Sequence, residues 1–227
     1  ENKYFWRLRP IFSTSNGNWT SIKQFEIIDL ESFGTLSLWL DADLNNLTIE
    51  APNLVSSIQS NTNTPYNLSQ SASVSKPLYL DSVLNDKPAL YFDGVDDFIK
   101  NSSSLSIRTC FALMKPTNSS ALGYIFSGLG LSSANPKYWL AVNTNTNILF
   151  PFYWSTNNWM VNSINSTNVP TNQFSLVSSK HWTSNTMSNY HISPSHSSLS
   201  RFKGYFFEKI VYSSAVSNSD RELIHRY

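Results

Sequence analysis

Apolar residues along the chain alternate with polar ones or occur in short runs between turn-forming residues. In the segment around Trp39, leucines at 36, 38 and 40 alternate with Ser37 and Trp39. β-Branched or aromatic residues dominate further short segments, at Ala89–Phe92, Thr109–Met114, Gly123–Phe126 and Tyr205–Tyr212. A period of two over short segments is typical of β-strands with one buried face. The pattern predicts an all-β protein with two antiparallel sheets.

Turn-forming residues separate these segments, at Asn85–Pro88, Lys115-Pro116, Asn135-Pro136 and Ser193-Pro194. The stretch from Ser56 to Lys76 is poor in apolar residues and rich in Ser, Asn, Thr and Gln. We therefore expect a long surface excursion there rather than a strand.

The C-terminal end has a helical pattern. Ser217 and Asp220 have the spacing of a capping box variant, and Leu223, Ile224 and Tyr227 then fall roughly on one face. The sequence predicts one short helix that packs against the sandwich.

Residues 1–32 contain two further strand patterns. Tyr4–Leu8 and Ile22–Leu30 have strand patterns on either side of Asn16-Gly17, a common hairpin turn. We expect an N-terminal strand pair or joining arm, ahead of a main domain at 33–227.

Composition narrows the possible partners. The chain has 227 residues, 41% of them hydrophobic, which is enough for one sizeable core. Charged residues make up 14% and the net charge is +1, with scattered Lys and Arg, so nucleic acid is not expected as a partner. No apolar run reaches membrane-spanning length, so membrane insertion is not expected either. The numbering begins at Glu1 rather than Met, so we expect a processed chain or part of a longer one.

Four segments resemble the laminin-G-like branch of the concanavalin A-like lectin and glucanase superfamily. They are LSLWLDAD at Leu36–Asp43, LNDKPALYFDGVDDFI at Leu84–Ile99, CFALMKP with GYIFSG at Cys110–Gly128, and FKGYFFEKIVYSSAVSNSDRELIHRY at Phe202–Tyr227. The resemblance implies a two-sheet antiparallel jelly-roll sandwich with one short C-terminal helix. It also implies a hairpin turned at Asp93-Gly94, and a bend of the backbone at Gly204.

The resemblance also implies a function. Domains of this kind occur in bacteriophage virion proteins and on cell surfaces, so we expect a non-enzymatic recognition or attachment module that binds glycan or another surface polymer, without a cofactor. Self-association, with a trimer as the form considered, follows from the resemblance alone. One alternative is a purely structural virion component, such as a decoration, cement or fibre protein, that binds no sugar. A weaker alternative is a glycan-cleaving enzyme.

The candidate ligand-binding residues are Trp154, Asn157, Asn158 and Trp159, within the aromatic stretch that begins at Phe150. Sugar rings stack their C–H faces on aromatic rings, and their hydroxyls pair with side-chain amides. The alternative is that Trp154 and Trp159 flank a hairpin turn and pack inward as core.

Glu26, Asp29 and Glu31 are the carboxylates that most resemble a glucanase motif. Glucanases of this superfamily hold three carboxylates at alternating positions on one strand face. Here an extra residue separates the first two, so on a regular strand Glu26 faces away from the others. We therefore expect a polar strand face and no catalytic residues.

Asp93, Asp96 and Asp97 form the candidate cation site, because calcium binds clustered carboxylate oxygens. The favoured alternative is structural, with Asp93 in the Gly94 turn and the others bonded to nearby backbone amides. His181, His191 and His196 lack zinc-ligand spacing. Cys110 lies in an apolar strand and is expected to be a small buried thiol, so no metal site is expected.

Overall fold

The computed structural model describes residues 2–62, 66–117, 122–130, 136–143, 148–149, 159–166, 168–193 and 201–226. Its strands are β1 (Asn2–Trp6), β2 (Lys23–Ile27), β3 (Leu36–Asp41), β4 (Leu47–Glu50), β5 (Leu54–Gln59), β6 (Asn67–Ser69), β7 (Leu78–Leu84), β8 (Lys87–Asp93), β9 (Ile99–Asn101), β10 (Leu105–Pro116), β11 (Leu122–Gly130), β12 (Pro136–Asn143), β13 (Ile148–Leu149), β14 (Trp159–Val161), β15 (Ile164–Asn165), β16 (Ser175–Ile192) and β17 (Lys203–Tyr212). Within these ranges the only α-helix is α1 (Asn218–Ile224), and short 3-10 helices span Leu30–Phe33, Leu44–Asn46 and Ser73–Ser75.

The strands form an antiparallel sandwich whose hydrogen-bonded ladder closes on itself. The ladder runs β10-β17-β8-β7-β5-β6-β9-β16, and β16 pairs again with β10. The register between β10 and β16 shifts beyond Ile107, and the far end of β16 pairs with β9 and β11 instead. Long strands that change neighbours at such irregularities carry the chain from one layer into the other. The expected all-β antiparallel sandwich with one short C-terminal helix is confirmed.

Two apolar clusters lie on opposite faces of the sheet that contains β3, β17 and β10. The inner core fills the space between the layers and includes Leu38, Leu40, Phe92, Phe126, Phe206 and Val211. The outer cluster packs on the other face and consists of Leu30, Phe111, Ile210, Tyr212, Val216 and Ile224. The two faces follow from the alternation along each strand.

Strand β3 shows where this alternation is interrupted. Leu38 and Leu40 are fully buried in the inner core, whereas Trp39 packs against the outer cluster. Leu36 also packs on the outer side, because the register against β17 shifts beside Leu38. The prediction that the three leucines share one face is therefore confirmed for Leu38 and Leu40 and wrong for Leu36.

The helix α1 begins where the sequence places it. The Ser217 hydroxyl accepts a hydrogen bond from the Asp220 amide, 3.1 Å away, and satisfies one of the unpaired donors of the first turn. Arg221 and Ile224 are the buried residues of the helix, while Tyr227 lies outside the described residues. The helix seals the outer cluster at one end of the sheet face.

The N-terminal strand pair is confirmed, but its point of reversal differs from the expected one. β1 pairs with β2 in a separate two-stranded sheet. A bridge joins Ile11 to Asn16, so the chain reverses between them and not at Asn16-Gly17. The Gly17 amide donates to the Pro10 carbonyl, and a Cβ on Gly17 would lie 2.6 Å from the proline ring. Gly17 thus permits close packing against Pro10.

The expected surface excursion at 56–76 is wrong. Strand β5 extends to Gln59, and β6 follows at Asn67–Ser69. Ile58 and Leu68 are fully buried and pair across the two strands. β6 turns a single apolar residue inward between polar neighbours, so it has no hydrophobic period that a sequence pattern could reveal.

Candidate ligand-binding cleft

Of the four residues predicted to bind a ligand, the structure describes only Trp159. Trp154, Asn157 and Asn158 lie outside the described residues. Trp159 begins β14, pairs with Ser179 of β16 and is 1% exposed, as part of the inner core. The hypothesis that Trp159 offers a face to a ligand is therefore wrong, and its alternative role as core is confirmed.

The carboxylates near the N-terminus do not share a strand. Strand β2 contains Glu26 but ends at Ile27, before Asp29 and Glu31. The Asp29 carboxylate caps the 3-10 helix Leu30–Phe33 by accepting from the Glu31 amide at 3.0 Å. Asp29 therefore has a structural role at this bend.

Asp93, Asp96 and Asp97 come together in the turn between β8 and β9. One oxygen from each carboxylate lies within 4.8 Å of the others, and no other group of three His, Cys, Asp or Glu side chains in the described ranges is as compact. The Asp93 carboxylate accepts from the Val95 amide at 2.7 Å, and the Asp97 carboxylate accepts from the Asp93 amide at 2.9 Å. The expected tight turn and its side-chain-to-backbone bonds are confirmed for Asp93 and Asp97. The expected hairpin is wrong, because β9 pairs with β16 and β6 and β8 pairs with β7 and β17. Calcium binding stays an untested alternative.

The remaining candidates for metal binding or nucleophilic chemistry are the histidines and Cys110. Burial lowers the pKa of His191 to about 4, with Lys100 and Arg201 adding to the effect. His196 lies outside the described residues. Cys110 is buried, as expected, with its sulfur 3.0 Å from the Ser179 hydroxyl.

A cleft of about 520 Å³ opens on the outer face of the sheet, beside the outer cluster. Its floor contains apolar side chains of three adjacent strands, β17, β10 and β16, together with the end of α1. The floor residues are Phe207, Ile210, Leu113, Leu176 and Ile224. Its volume lies within the range of about 300–1,000 Å³ that ligand pockets occupy.

Polar groups and one indole ring form the walls of the cleft. Trp39 and Asp41 of β3 line it, with Asp43 just beyond the strand. Asn85 and Lys87, at the tight hairpin between β7 and β8, line it as well. Positive φ angles at Asn85 (48°) and Asp86 (59°) shape this turn, as two-residue hairpins require.

Trp39 and Glu208 form the central contact of the cleft. The Trp39 indole nitrogen donates to a Glu208 carboxylate oxygen over 2.7 Å. Glu208 lies directly opposite Asp41 in the β3–β17 pairing, so both carboxylates project from the same sheet face. Burial raises the pKa of Glu208 and the nearby Asp41 adds to this, while the indole hydrogen bond and the charge of Lys87 lower it.

Asp41 is held rigidly in place by three hydrogen bonds. One of its oxygens accepts from the Asn46 side-chain amide at 2.7 Å and from the Asp43 backbone amide at 3.1 Å. The other accepts from the Asn61 side-chain amide at 2.8 Å. The cleft thus combines an oriented aromatic ring, fixed carboxylates, an amide and an apolar floor, which suits a polyhydroxylated ligand with apolar faces.

Sequence analysis missed this cleft, although part of its signal is local. Trp39 and Asp41 lie two residues apart on one strand, so they share a face. Glu208 joins them only through the pairing of β3 with β17, which connects residues 169 positions apart along the chain. A local sequence pattern cannot predict the register between these two strands.

Comparison of the chain with protein-family models, curated proteins and solved structures finds no match. Within the described ranges, no helix has the length and apolar character needed to cross a lipid bilayer.

Proposed function

We propose that this chain is a non-enzymatic recognition or attachment module that binds glycan or another surface polymer in the cleft between Trp39 and Lys87. The observation that carries the proposal is the hydrogen bond that fixes the Trp39 ring beside Glu208, above an apolar floor. A fixed indole stacks on a sugar ring without losing much side-chain entropy, and the carboxylates accept from sugar hydroxyls.

We propose further that the module belongs to the concanavalin A-like group and serves a virion or cell-surface protein. The four sequence segments support this assignment, and the antiparallel sandwich is compatible with it. All four segments supply residues of the cleft, among them Trp39 in the first, Lys87 in the second, Leu113 in the third and Glu208 in the last.

A structural role in an assembly is the second candidate, and a different observation favours it. Five large apolar side chains between residues 8 and 22 are exposed, which is half of the exposed large apolar residues in the described part of the chain: Leu8, Ile11, Phe12, Trp19 and Ile22. Concentrated apolar exposure of this kind marks surfaces that contact other proteins. A cement or fibre protein would use such a surface and would leave the cleft without a sugar.

Binding to an immobilised panel of glycans and bacterial surface polymers tests the first candidate. We expect Trp39→Ala to lose binding by about tenfold or more, since an aromatic stacking platform contributes at least ~1.4 kcal/mol. Trp19→Ala removes the same ring from the exposed N-terminal hairpin and is the matched control, with unchanged binding expected.

Three other results would redirect the proposal. Loss of binding in Trp154→Ala but not in Trp39→Ala would move the site to the aromatic stretch at 150–159. Stoichiometric incorporation into a particle without binding to any polymer would favour the structural role. Turnover of a bound glycan that disappears in Glu208→Gln would show a glycan-cleaving enzyme.

A further inference from the structure

We infer that the cleft selects polymers whose sugar units carry a protonated amino group, of the glucosamine type, over neutral or acidic sugars. This inference rests on the proposed function, because it names the ligand class of the same cleft. It follows from the charges around Trp39, from the bonding of Glu208 and from the shape of the apolar floor.

The charge around the cleft is predominantly negative. Asp41, Asp43 and Glu208 line it, against the single basic residue Lys87. The surrounding sequence has the same bias, because residues 28–97 contain 10 of the 15 acidic residues and only 2 of the 16 basic ones. A concave surface with one sign of charge concentrates ligands of the opposite sign and repels those of its own.

Within the described residues, none of these cleft carboxylates forms an ion pair, although Lys87 acts on Glu208 from a longer distance and lowers its pKa. The ion pair found in those ranges joins Lys76 to Glu50, at 2.6 Å, and involves no cleft residue. A partly buried carboxylate without a cation is costly, so a ligand that supplies one gains more than it would at an exposed surface. The cleft therefore carries more negative than positive charge, and an ammonium group would supply a close ion pair that Lys87 does not make with the described carboxylates.

Glu208 is the carboxylate best placed to receive that group. The Trp39 indole is its only hydrogen-bond donor in the described part of the chain, and a carboxylate can accept about four hydrogen bonds. Asp41, by contrast, already accepts three from Asn46, Asn61 and the Asp43 amide. A ligand ammonium with three N–H donors would complete the bonding of Glu208.

The indole ring and the apolar floor favour a sugar rather than a flexible amine. Trp39 lines the cleft with its indole nitrogen bonded to the carboxylate, and Leu113, Ile210 and Phe207 line the same space. A sugar ring with an amino substituent brings an apolar C–H face and an ammonium in one rigid unit. A lysine side chain brings the charge without that face, so it would gain less.

Titration calorimetry with three matched oligosaccharides tests the inference. The probes are tetramers of glucose, of N-acetylglucosamine and of glucosamine, which share one backbone and differ in a single substituent. Slightly below neutral pH, we expect the glucosamine tetramer to bind about tenfold more tightly than the glucose tetramer, as a charge-assisted hydrogen bond provides. We expect Glu208→Gln to abolish most of this preference.

Glu31→Gln is the matched control, because it makes the same chemical change at an exposed position outside the cleft. It should leave the preference intact. Thermal unfolding of each variant shows whether the fold is retained. A lysine tetrapeptide tests whether the ammonium group must be carried by a sugar. We expect the peptide to bind at least about tenfold more weakly than the glucosamine tetramer.

The outcomes separate this inference from the proposed function. Equal or tighter binding of the glucose or N-acetylglucosamine tetramer would overturn the charge preference and leave the glycan-binding proposal standing. Equally tight binding of the lysine peptide would make the cleft a site for cationic peptides and would overturn the choice of a sugar. If none of the tetramers and no polymer of the panel binds, the proposed function itself fails.

Discussion

The amine of Lys209 lies 3.0 Å from the centre of the Phe126 ring, inside the inner core. Lys209 is fully buried, and its amine has no hydrogen-bond partner among the described residues. The Tyr190 ring is also close, 4.7 Å from the amine. Attraction to an aromatic face favours the ammonium form by up to about 2 kcal/mol, but the loss of water from a buried charge costs more. Burial accordingly lowers the pKa of Lys209 to about 7.

Replacement of Lys209 by methionine should stabilise the protein at neutral pH. Methionine has a similar length and carries no charge, and replacing a buried ionic group by an apolar one gains about 1–4 kcal/mol. Thermal or urea unfolding measures the change. Lys100→Met, at an exposed position of β9, is the control and should change stability by less than about 0.5 kcal/mol.

The same lysine gives a pH dependence with a defined sign. Its pKa is about 7 in the folded chain and near the ordinary 10.5 in the unfolded one. Between these values the unfolded chain binds more protons, so stability rises as the pH increases from about 7 to 10.5. The facing ionisable groups in the described residues are Cys110 and Tyr190. Lys209→Met should lose this rise, and a variant that kept it in full would contradict the assignment.

Local sequence patterns were enough to predict the strands with a regular period and the C-terminal helix. Strand β8 between its hairpin turn and Asp93-Gly94, and the helix capped by Ser217, have signals contained within about ten residues. The backbone at Gly94 and Gly204 has φ angles of 80° and 151°, in agreement with the turn and the bend expected there.

Features that depend on pairing between distant strands could not be predicted. β6 is recognisable only because Leu68 pairs with Ile58, and closure of the ladder depends on the double pairing of β16. The lysine inside the inner core follows the alternation of β17, in which Lys209 shares a face with the fully buried Val211. The alternation along β17 places the Lys209 side chain on the inner face of the sheet. A lysine is nevertheless expected to be exposed because of its charge, so residue type alone gives the wrong expectation.

Glu208→Gln should raise stability at neutral pH. Glutamine keeps an oxygen acceptor for the Trp39 indole and removes the charge, whose burial raises the pKa of Glu208. A carboxyl with a raised folded pKa stabilises the fold at low pH, and that stability is lost as the pH rises through the folded pKa. We therefore expect a gain of about 1 kcal/mol, or roughly 2–4 °C in melting temperature, at neutral pH and no gain in acid. A stability loss at neutral pH would show that the attraction between Glu208 and Lys87 outweighs the cost of burying the carboxylate.

Ser217→Ala should loosen the helix that covers the outer cluster. Loss of a serine N-cap costs about 1 kcal/mol, because the Asp220 amide loses its acceptor. Ser219→Ala, one residue into the helix, removes a hydroxyl that lies 2.8 Å from the Ser217 hydroxyl but leaves the cap itself in place, so it should cost less. Amide hydrogen exchange in 218–224, with global unfolding measured in parallel, distinguishes local fraying from a general loss of stability.

Asp97→Asn should stabilise the protein above about pH 7. Burial raises the pKa of Asp97 to about 7, the Asp93 amide opposes the shift, and the carboxylates of Asp93 and Asp96 add to it. The folded chain then holds a proton that the unfolded chain, with a pKa near 3.8, has released. Stability from this group is present at acid pH and is lost as the pH rises from about 4 to 7, so its slope is opposite in sign to that of Lys209.

Asparagine keeps an oxygen acceptor for the Asp93 amide and removes the charge, so we expect a gain of about 1–3 kcal/mol at pH values above 7 and little change near pH 4. Asp81→Asn, on the exposed side of β7, is the control for a change of net charge. The unfolding measurements are made in a chelator and repeated with added calcium. Calcium-dependent stabilisation of the wild-type chain, lost in Asp97→Asn, would replace the structural role of this turn by a cation site. Equal stability curves with and without calcium, together with the predicted gain in Asp97→Asn, would support a turn held by side-chain-to-backbone hydrogen bonds in which Asp97 carries an unfavourable charge.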